Sequence, residues 1–429
     1  MNQVTIAVPV YGDWPSLADC LDSLKEYAQN YRVVFVNDCG PEADVIEKKL
    51  LKAIKNTKFE YFRNQHNLGF GQTCNRIAEE IETVNDLIFL NSDTMLTSGA
   101  IEELAGVMCL SPRFGAGCPR TNNASIATIP YYLSSADNKI DPRSSYEAYQ
   151  AIKPLLPRFN LAPVAVGFCF YVKREVITKH GLFDMIFGSG YGEEDDFCMR
   201  IGRHGYQSVI ANHAFVFHQS SRSFGEQQKN QLMKKNEKIL LRRYPEFYRL
   251  VNNYLEYEQS FADYFANLIS DKSGRRKILI DFFESGELDQ SFLKQFLNDK
   301  KSYEVKVLSK TPIKINNKLV PTVGLSCDEQ FHETYAMSDV SSYRHARFLV
   351  KSSTKIILDK NTKWAGTKRI NVIKDYVCKP SSDDLTLNSL AWHEMNQQLK
   401  ELDWPILNTA WFNRGKNIAK SAYYKIKQK

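Results

Sequence analysis

Short apolar runs alternate with helical patterns along the first half of the chain. Four runs have the length and composition of β-strands, namely VTIAVPV, RVVFVND, FEYFRN and DLIFLNSD. The apolar spacing that follows them predicts helices over residues 15–30, 41–55, 70–84 and 98–110. Because strands that alternate with helices form βαβ units, this half predicts an α/β fold around a mostly parallel sheet.

Polar side chains stand where each of these four strands ends. They are Tyr11 and Asp13, Asn37 and Asp38, Asn64 and Asn67, and Ser92 and Asp93. One polar strand end is ordinarily a turn or a helix cap, but ligands of parallel sheets collect at the carboxyl ends of the strands. Four such ends therefore predict a ligand site. The loop HNLGFGQTCN lacks the GxGxxG spacing of dinucleotide-binding dehydrogenases.

The middle of the chain predicts four further features. Residues 111–163 carry few regular patterns, and we expect a long connection over the mouth of the site. Residues 164–177 predict a strand and the start of a helix. In residues 181–206 a glycine-rich loop meets four acids and enters an amphipathic helix. Residues 208–225 predict a strand that ends on His218.

Beyond residue 226 the pattern changes to an aromatic-rich helical segment and then to a second, smaller α/β unit. The predicted division has a first α/β domain over residues 1–228, a helical segment with a linker over 229–274, and an accessory α/β domain with a basic tail over 275–429. We interpret the accessory domain as a structural, oligomerising or membrane-docking module.

Composition narrows the class of protein. Hydrophobic residues at 43% and charged residues at 24% describe a soluble globular chain. No run approaches the roughly 18 apolar residues of a membrane span, and the N-terminus lacks signal-peptide zones, so a cytoplasmic protein is expected. Nine scattered cysteines without a CxxC pair favour reduced thiols over zinc or disulfides. A net charge of +7 does not indicate nucleic acid.

The basic tail is the exception to this mixed charge pattern. Residues 412–429, FNRGKNIAKSAYYKIKQK, contain six Lys or Arg and no acid. Interleaved aromatic residues are typical of segments that lie on an anionic membrane surface, which would place the protein at the inner face of the cell membrane. A solvated basic terminus explains the same composition, and both readings stay open.

Candidate chemistry lies in an acidic run and in one distant pair. Residues 193–196 read Glu-Glu-Asp-Asp, which is either a solvated helix N-terminus or the source of a general base. The glycines before the run, Gly188, Gly190 and Gly192, supply a loop able to close over a substrate. Asp93 and His218 both stand at strand ends, and carboxylate with imidazole can bind manganese or a magnesium-like ion that neutralises a departing diphosphate.

Six segments in order resemble glycosyltransferase family 2 over residues 3–225. They are VTIAVPVYG, VVFVNDCG, NLGFGQTCN, FLNSDT, VGFCFYVKREV and GEEDDFCMRIGRHGY. The resemblance implies the GT-A fold, with a Rossmann-like nucleotide-binding sheet. It also implies that the strand-end motif binds a metal ion and the diphosphate of a nucleotide sugar. The motif is Asn91-Ser92-Asp93 in this chain, where the family has acid-x-acid. Asp93 is therefore the implied metal ligand, and Asn91 and Ser92 are implied polar contacts to the nucleotide-sugar donor.

The same resemblance implies roles for other residues. The implied set is Pro9, Tyr11 and Asp38 at the nucleoside, Asn67, Gly69 and Asn75 in the nucleotide or sugar pocket, Gly167 beneath the donor sugar, Tyr191 and Glu193 at the acceptor, and His218 on the metal ion. Alignment on DFCMR puts Glu194 where the family's base is Asp. Glu194 therefore ranks first as catalytic base and Asp195 second.

The implied reaction is an inverting, metal-dependent transfer from a UDP- or dTDP-sugar to a hydroxyl group. The acceptor is a polysaccharide or a lipid-linked oligosaccharide of the cell envelope, such as capsule or O-antigen. Rhamnose, galactose, galactofuranose and N-acetylhexosamines all stay open as the sugar, and residues 119–132 resemble a loop that slightly favours a polysaccharide acceptor. Two alternatives are a nucleotide-sugar-binding scaffold that has lost turnover and a nucleotidyltransferase, whose basic glycine-rich loop is missing here.

Overall fold

The computed structural model describes residues 3–130, 141–188, 190–219, 226–284, 290–315, 317–378 and 384–403. Its strands are β1 (Val4–Val10), β2 (Arg32–Asn37), β3 (Glu60–Arg63), β4 (Asp86–Leu90), β5 (Thr94–Leu96), β6 (Phe114–Arg120), β7 (Phe159–Ala162), β8 (Cys169–Val172), β9 (Gln207–His218), β10 (Arg276–Asp281), β11 (Tyr303–Leu308), β12 (Lys314–Ile315), β13 (Lys318–Leu319), β14 (Thr322–Val323), β15 (Glu333–Ala336) and β16 (Ile356–Leu358). The basic tail, residues 412–429, lies outside the described residues.

The helices complete the architecture. They are α1 (Trp14–Tyr27), α2 (Ala43–Ile54), α3 (Phe70–Arg76), α4 (Ala100–Met108), α5 (Pro142–Ile152), α6 (Arg174–His180), α7 (Glu193–Gly202), α8 (Glu226–Arg243), α9 (Phe247–Asn253), α10 (Phe261–Tyr264), α11 (Ala266–Ile269), α12 (Gln290–Leu297), α13 (Tyr343–Ser352), α14 (Lys368–Cys378) and α15 (Leu385–Asp403). Single π-turns at Ile77–Ile81 and Tyr254–Glu258 continue α3 and α9. No helix in the described part of the chain is long and apolar enough to cross a membrane.

The first sheet has nine strands and confirms the expected α/β class. Its order is β3-β2-β1-β4-β8-β6-β9-β5, with β7 paired to β9. The strands β3, β2, β1 and β4 are parallel, as the alternating pattern predicts. The sheet as a whole is mixed, because β8 runs antiparallel to both β4 and β6 and β9 runs antiparallel to β5 and β7. Polar ends of the first four strands therefore share one edge.

One expectation about the middle of the chain was wrong. Residues 111–163 contain β6, an interior strand that is buried along its whole length, together with α5 and β7. The sequence FGAGCPR gives a weak strand signal because Gly and Pro are uncommon in strand interiors. Its glycines admit close packing: a Cβ on Gly117 would lie 2.7 Å from the Met108 sulfur, and one on Gly115 would lie 2.8 Å from Ile201. Helix packing, not strand propensity, selects those residues.

The aromatic-rich helical segment is shared between two hydrophobic cores. Its first part, with Tyr244 and Phe247, packs into the core of the first sheet, whereas Phe261 and Phe265 belong to the core of the second unit. A fully buried ion pair between Arg120 of β6 and Asp263 also joins the segment to the first sheet. The aromatic residues of this segment thus pack on two separate cores rather than on one.

The second sheet has five strands in the order β14-β11-β10-β15-β16, and every neighbouring pair is parallel. Helix α13 follows β15, and helices α14 and α15 pack beside it in the same core. The apolar run INVIKDYV, residues 370–377, forms most of α14 and contributes Ile370, Ile373 and Val377 to this core. The domain boundaries at residues 228 and 274 stay a prediction, which the two separate sheets support.

Candidate functional site

An antiparallel pairing places Asp93 next to His218. Strand β5 begins directly after Asp93 and pairs with β9 so that Thr94 lies opposite His218. The backbone N–H of Gln219 also donates to the carbonyl of Asp93 at 2.9 Å. The His218 Nε2 consequently lies 3.5 Å from the Asp93 Oδ1. Two residues separated by more than a hundred positions thus meet through one short β-ladder.

The His218 ring is held in one orientation. Its Nδ1 lies 2.6 Å from the carbonyl oxygen of Asn123, and because a carbonyl can only accept, Nδ1 carries a proton and Nε2 is the ring nitrogen that faces Asp93. The ring also stacks on Phe168, with centroids 5.3 Å apart and planes at 19°. Metal-bound histidines commonly donate the N–H group of their second ring nitrogen to a carbonyl in this way.

The donor set at this pair fits a divalent ion. A carboxylate oxygen and an imidazole nitrogen are suitable for manganese or magnesium-like ions, and such ions are ordinarily completed by substrate phosphates and water. Within the described residues, no group of three or more His, Cys, Asp or Glu side chains gathers to hold a metal ion. Asp93 and His218 stay the predicted metal ligands.

The strand end before Asp93 is fixed by its backbone. The N–H of Asn91 donates to the carbonyl of Phe168 at 2.9 Å, which ties the end of β4 to the segment after Gly167. The Thr94 hydroxyl donates to the Asn91 carbonyl at 2.7 Å, closing a turn around Ser92. Asn91 and Ser92 are partly exposed, while Asp93 is buried. The turn thus directs the metal-ligand candidate inward.

The four consecutive acids have different surroundings. Asp196 is fully buried, and it accepts from Arg243 at 2.8 Å and from the Tyr244 hydroxyl at 3.1 Å, so it is a structural anchor. Glu193 and Asp195 are also buried. Glu194 alone is partly exposed among the four, at the start of α7.

Gly167 lies directly beneath Glu194. A Cβ on Gly167 would lie 3.5 Å from both the Cδ and the Oε1 of Glu194. Because Phe168 follows Gly167 and stacks on His218, this contact links the base candidate to the metal-ligand candidates through one short segment. The structure thereby brings Asp93, His218 and Glu194 to one edge of the first sheet.

The loop before the acids has an unusual backbone. Gly188, Gly190 and Gly192 adopt φ values of +68°, +135° and +103°, and Tyr191 between them has φ +70°. Asn236 of α8 supports this loop by donating from its Nδ2 to the carbonyls of Phe187, Gly190 and Tyr191.

Asn236 was not among the residues singled out from the sequence. The available signal was its position in an otherwise apolar stripe, since Met233, Asn236 and Leu240 have helical spacing and are all buried.

On the nucleotide side, Asp38 organises the loop that follows β3. Its Oδ1 accepts from the Asn64 amide at 2.6 Å and from the N–H of Leu68 at 2.8 Å, and its Oδ2 accepts from the N–H of Gly69 at 2.9 Å. The Asn67 amide donates to the Asp38 carbonyl at 3.0 Å. Asp38 thus fixes the loop that leads into α3, and Gly69 fits its turn because its φ is +83°.

The end of β1 meets the end of β2 through a glycine that sequence reasoning missed. A Cβ on Gly40 would lie 1.6 Å from the carbonyl oxygen of Tyr11, so only glycine fits there. Pro9 pairs in register with Val36, one position before Asn37. This contact holds Tyr11 and Asp38 on neighbouring strand ends. The signal was the glycine directly after the polar strand end, in NDCG.

Asn75 joins two loops of the site. Its amide donates to the Phe183 carbonyl at 2.8 Å, and its Oδ1 accepts from the Phe183 N–H at 2.9 Å. The side chain expected to line the sugar pocket therefore clamps the segment that leads into the glycine-rich loop. The roles assigned to the individual site residues stay predictions.

The comparison with protein families gives one match. Residues 5–181 match the family model of Glycosyl transferase family 2. The match includes the segments around Asp38, Asp93 and Gly167, and it ends before the acidic run and His218. The chain matches no curated protein sequence.

Three solved structures are similar to this chain. They are GalNAc-T7 with UDP, GalNAc and Mn²⁺ (16% identity, TM-score 0.41, 58% of this chain and 51% of that chain), the mannosyltransferase PcManGT from Pyrobaculum calidifontis with GDP-Man and Mn²⁺ (14%, 0.42, 63% and 73%), and S. aureus TarS 1-349 with UDP-GlcNAc (12%, 0.38, 62% and 73%). The aligned region thus spans about half the length of GalNAc-T7.

Proposed function

We propose that the chain is a glycosyltransferase that moves a sugar from a nucleoside diphosphate sugar to a hydroxyl group with inversion. The observation that carries the proposal is the meeting of Asp93 and His218 at 3.5 Å on the sheet edge where Glu194 covers Gly167. The family match over residues 5–181 supports the reaction class.

Asp93 and His218 would hold the divalent ion in this proposal. Manganese or magnesium would supply positive charge that stabilises the diphosphate as it leaves. The Asn123 carbonyl keeps the proton on the His218 Nδ1, so that Nε2 stays available as a ligand.

Glu194 acts as the general base in the proposed reaction. Its carboxylate takes the proton from the acceptor hydroxyl, and the oxygen then attacks the anomeric carbon from the face opposite the nucleoside diphosphate. Partial exposure lets Glu194 reach an acceptor, whereas Asp195 is buried and ranks second. Tyr191 and Glu193 would contact the acceptor.

The finer identity of donor and acceptor extends this proposal. UDP- or dTDP-activated rhamnose, galactose, galactofuranose or an N-acetylhexosamine is the proposed donor class, and a polysaccharide or lipid-linked oligosaccharide of the cell envelope is the proposed acceptor class. The loop of residues 119–132 motivates the polysaccharide acceptor. The basic tail motivates a contact with the membrane, where a lipid-linked acceptor would lie. Sedimentation with anionic liposomes before and after removal of residues 412–429 tests the contact, and unchanged binding would contradict it.

A donor screen tests the central proposal. The full chain is incubated with individual UDP-, dTDP- and GDP-sugars and Mn²⁺, and release of the nucleoside diphosphate is measured. We expect release with one nucleotide class, and its loss in Asp93→Ala and Glu194→Gln but not in Lys238→Ala, an exposed position on α8. Metal-dependent nucleotide binding without release from any donor would favour the scaffold instead.

A further inference from the structure

Helix α8 forms hydrogen bonds to the glycine-rich loop that precedes the acidic run. The Nδ2 of Asn236 lies 2.7 Å from the Phe187 carbonyl, 2.9 Å from the Gly190 carbonyl and 2.9 Å from the Tyr191 carbonyl. The side chain is 1% exposed. One amide group therefore serves three backbone acceptors within five consecutive residues.

The loop needs this support because its backbone is strained. Tyr191 has φ +70°, a left-handed conformation that side-chain-bearing residues seldom adopt without surrounding restraint. The carbonyl of Tyr191 is itself one of the three acceptors. A hydrogen bond from Asn236 thus acts on the strained residue itself. Only Gly192 separates Tyr191 from Glu193 and Glu194.

The oxygen atom of the Asn236 amide indicates that the residue is there for its N–H groups. Its Oδ1 is buried and finds no hydrogen-bond partner in the part of the chain that the structure describes. Leaving a buried acceptor unsatisfied costs free energy, so packing alone does not explain an asparagine here. The N–H groups directed at the loop do explain it.

The same helix also holds both ends of the segment. Arg243, two turns further along α8, donates from Nη2 to Asp184 and from Nη1 to Asp196, both at 2.8 Å. Asp184 stands before the glycine-rich loop, and Asp196 stands after the base candidates. Helix α8 therefore contacts this segment at its beginning, middle and end.

We propose that Asn236 is a positioning residue that fixes the backbone of Phe187, Gly190 and Tyr191 and thereby places Glu194 over Gly167. This inference rests on the proposed transferase function. Asn236 contacts no reacting group itself. Its hydrogen bonds go to the acceptor side, whereas the nucleotide side is organised by Asp38 and Asp93. The effect of Asn236 is therefore on transfer and not on binding of the nucleotide.

Two variants of similar volume separate hydrogen bonding from packing. Asn236→Asp replaces the donating amide by a carboxylate that faces three carbonyl oxygens, and Asn236→Leu removes the donors and keeps the bulk. Lys238→Ala is the matched control on the exposed face of the same helix. Circular dichroism and the unfolding midpoint establish that each variant is folded.

The experiment combines three measurements on the full chain. Hydrogen exchange is followed in peptides that cover residues 184–196, binding of UDP or GDP is measured with Mn²⁺, and release of nucleoside diphosphate is measured with the active donor. We expect faster exchange confined to the loop and unchanged nucleotide binding in both variants. Transfer falls about 100-fold, because small misplacement of a reacting group has effects of that order.

Each contrary result has a distinct meaning. Loop exchange and transfer equal to wild type in both variants would overturn the positioning role, and so would nucleotide binding lost in parallel with transfer, which would indicate a general structural role. If the wild-type chain releases nothing from any donor, the proposed function fails. Loop exchange then still decides whether Asn236 holds the loop.

Discussion

The two sheets each contain a pair of one aspartate and one histidine, and the pairs differ in access to solvent. In the first sheet, Asp93 and His218 are 3.5 Å apart, and their side chains are 8% and 20% exposed. In the second, Asp281 at the end of β10 and His345 in the first turn of α13 are 3.0 Å apart, and both are 0% exposed. The same residue types thus occur in two different settings.

The surroundings distinguish the predicted ligand pair from the second pair. Asp281 accepts the N–H of Phe283 on its Oδ1 and His345 on its Oδ2, and the ring of Phe283 covers His345 at 5.0 Å. Burial raises the pKa of Asp281 above its ordinary value. A sealed pair of this kind holds a strand and a helix together. The two pairs therefore share their residue types and differ in their access to solvent.

The largest expected effect is loss of transfer in Asp93→Ala. Removing a carboxylate ligand removes the charge that stabilises the leaving diphosphate, and we expect transfer to fall about 1,000-fold. The unfolding midpoint should change little. Steady-state release of nucleoside diphosphate and a thermal melt measure the two quantities. Transfer close to that of wild type would remove Asp93 from the site.

The converse variant is Asp281→Ala, which should affect stability instead. It leaves the buried His345 without its partner, and breaking a buried pair in this way lowers the free energy of unfolding by about 3–5 kcal/mol. Urea denaturation measures the loss, and nucleotide binding at low temperature serves as the control. A folded variant that has lost nucleotide binding would contradict the contrast between the pairs.

A smaller effect is expected at the clamp between Asn75 and Phe183. Asn75→Ala removes two hydrogen bonds and leaves the Phe183 backbone groups to water, with a loss of stability of about 1–3 kcal/mol. Transfer should fall as well, because the clamp precedes the glycine-rich loop. An unchanged denaturation midpoint together with unchanged transfer would show that the clamp is dispensable.

The smallest expected effect is a pH dependence that comes from the sealed pair. A raised carboxyl pKa means that folding takes up a proton, so the contribution of Asp281 to stability is greatest below the unfolded pKa of about 3.9 and is lost as pH rises through the folded pKa. Asp281→Asn does not titrate at this position.

This pH dependence is measured as a difference between the two proteins. The free energy of unfolding of wild type, minus that of Asp281→Asn, should decline as the pH rises above about 4. Urea titrations at several pH values test it. A constant or rising difference would show that burial does not raise the pKa of Asp281 in solution.

Local pattern was sufficient to predict the elements that begin the first sheet. Strands β1 to β4 and helices α1 to α4 follow the apolar periodicity closely, because each has one clear buried face. The entry of the acidic run into α7 and the end of β9 at His218 were also as predicted. Strand β6 was missed because packing against Met108 and Ile201 demands glycines that weaken its strand signal.

Contacts between distant residues account for what the sequence could not reveal. Gly40 is necessary because a Cβ there would lie 1.6 Å from the carbonyl oxygen of Tyr11, and the partners of Asn236 lie more than forty positions away. The pairing of Asp93 with His218 could be predicted as a hypothesis from strand ends, but the β5–β9 register that brings them together is a tertiary feature. The sealed Asp281–His345 pair left no local signal.

The most direct test of the central claim is calorimetric titration of UDP and GDP with Mn²⁺ into wild type, Asp93→Asn and Asp281→Asn. Both variants replace a carboxyl group by an amide of the same shape. We predict metal-dependent nucleotide binding in wild type and in Asp281→Asn, and its loss in folded Asp93→Asn. Metal-dependent binding that is equally strong in Asp93→Asn, or its absence from folded wild type, would contradict the account.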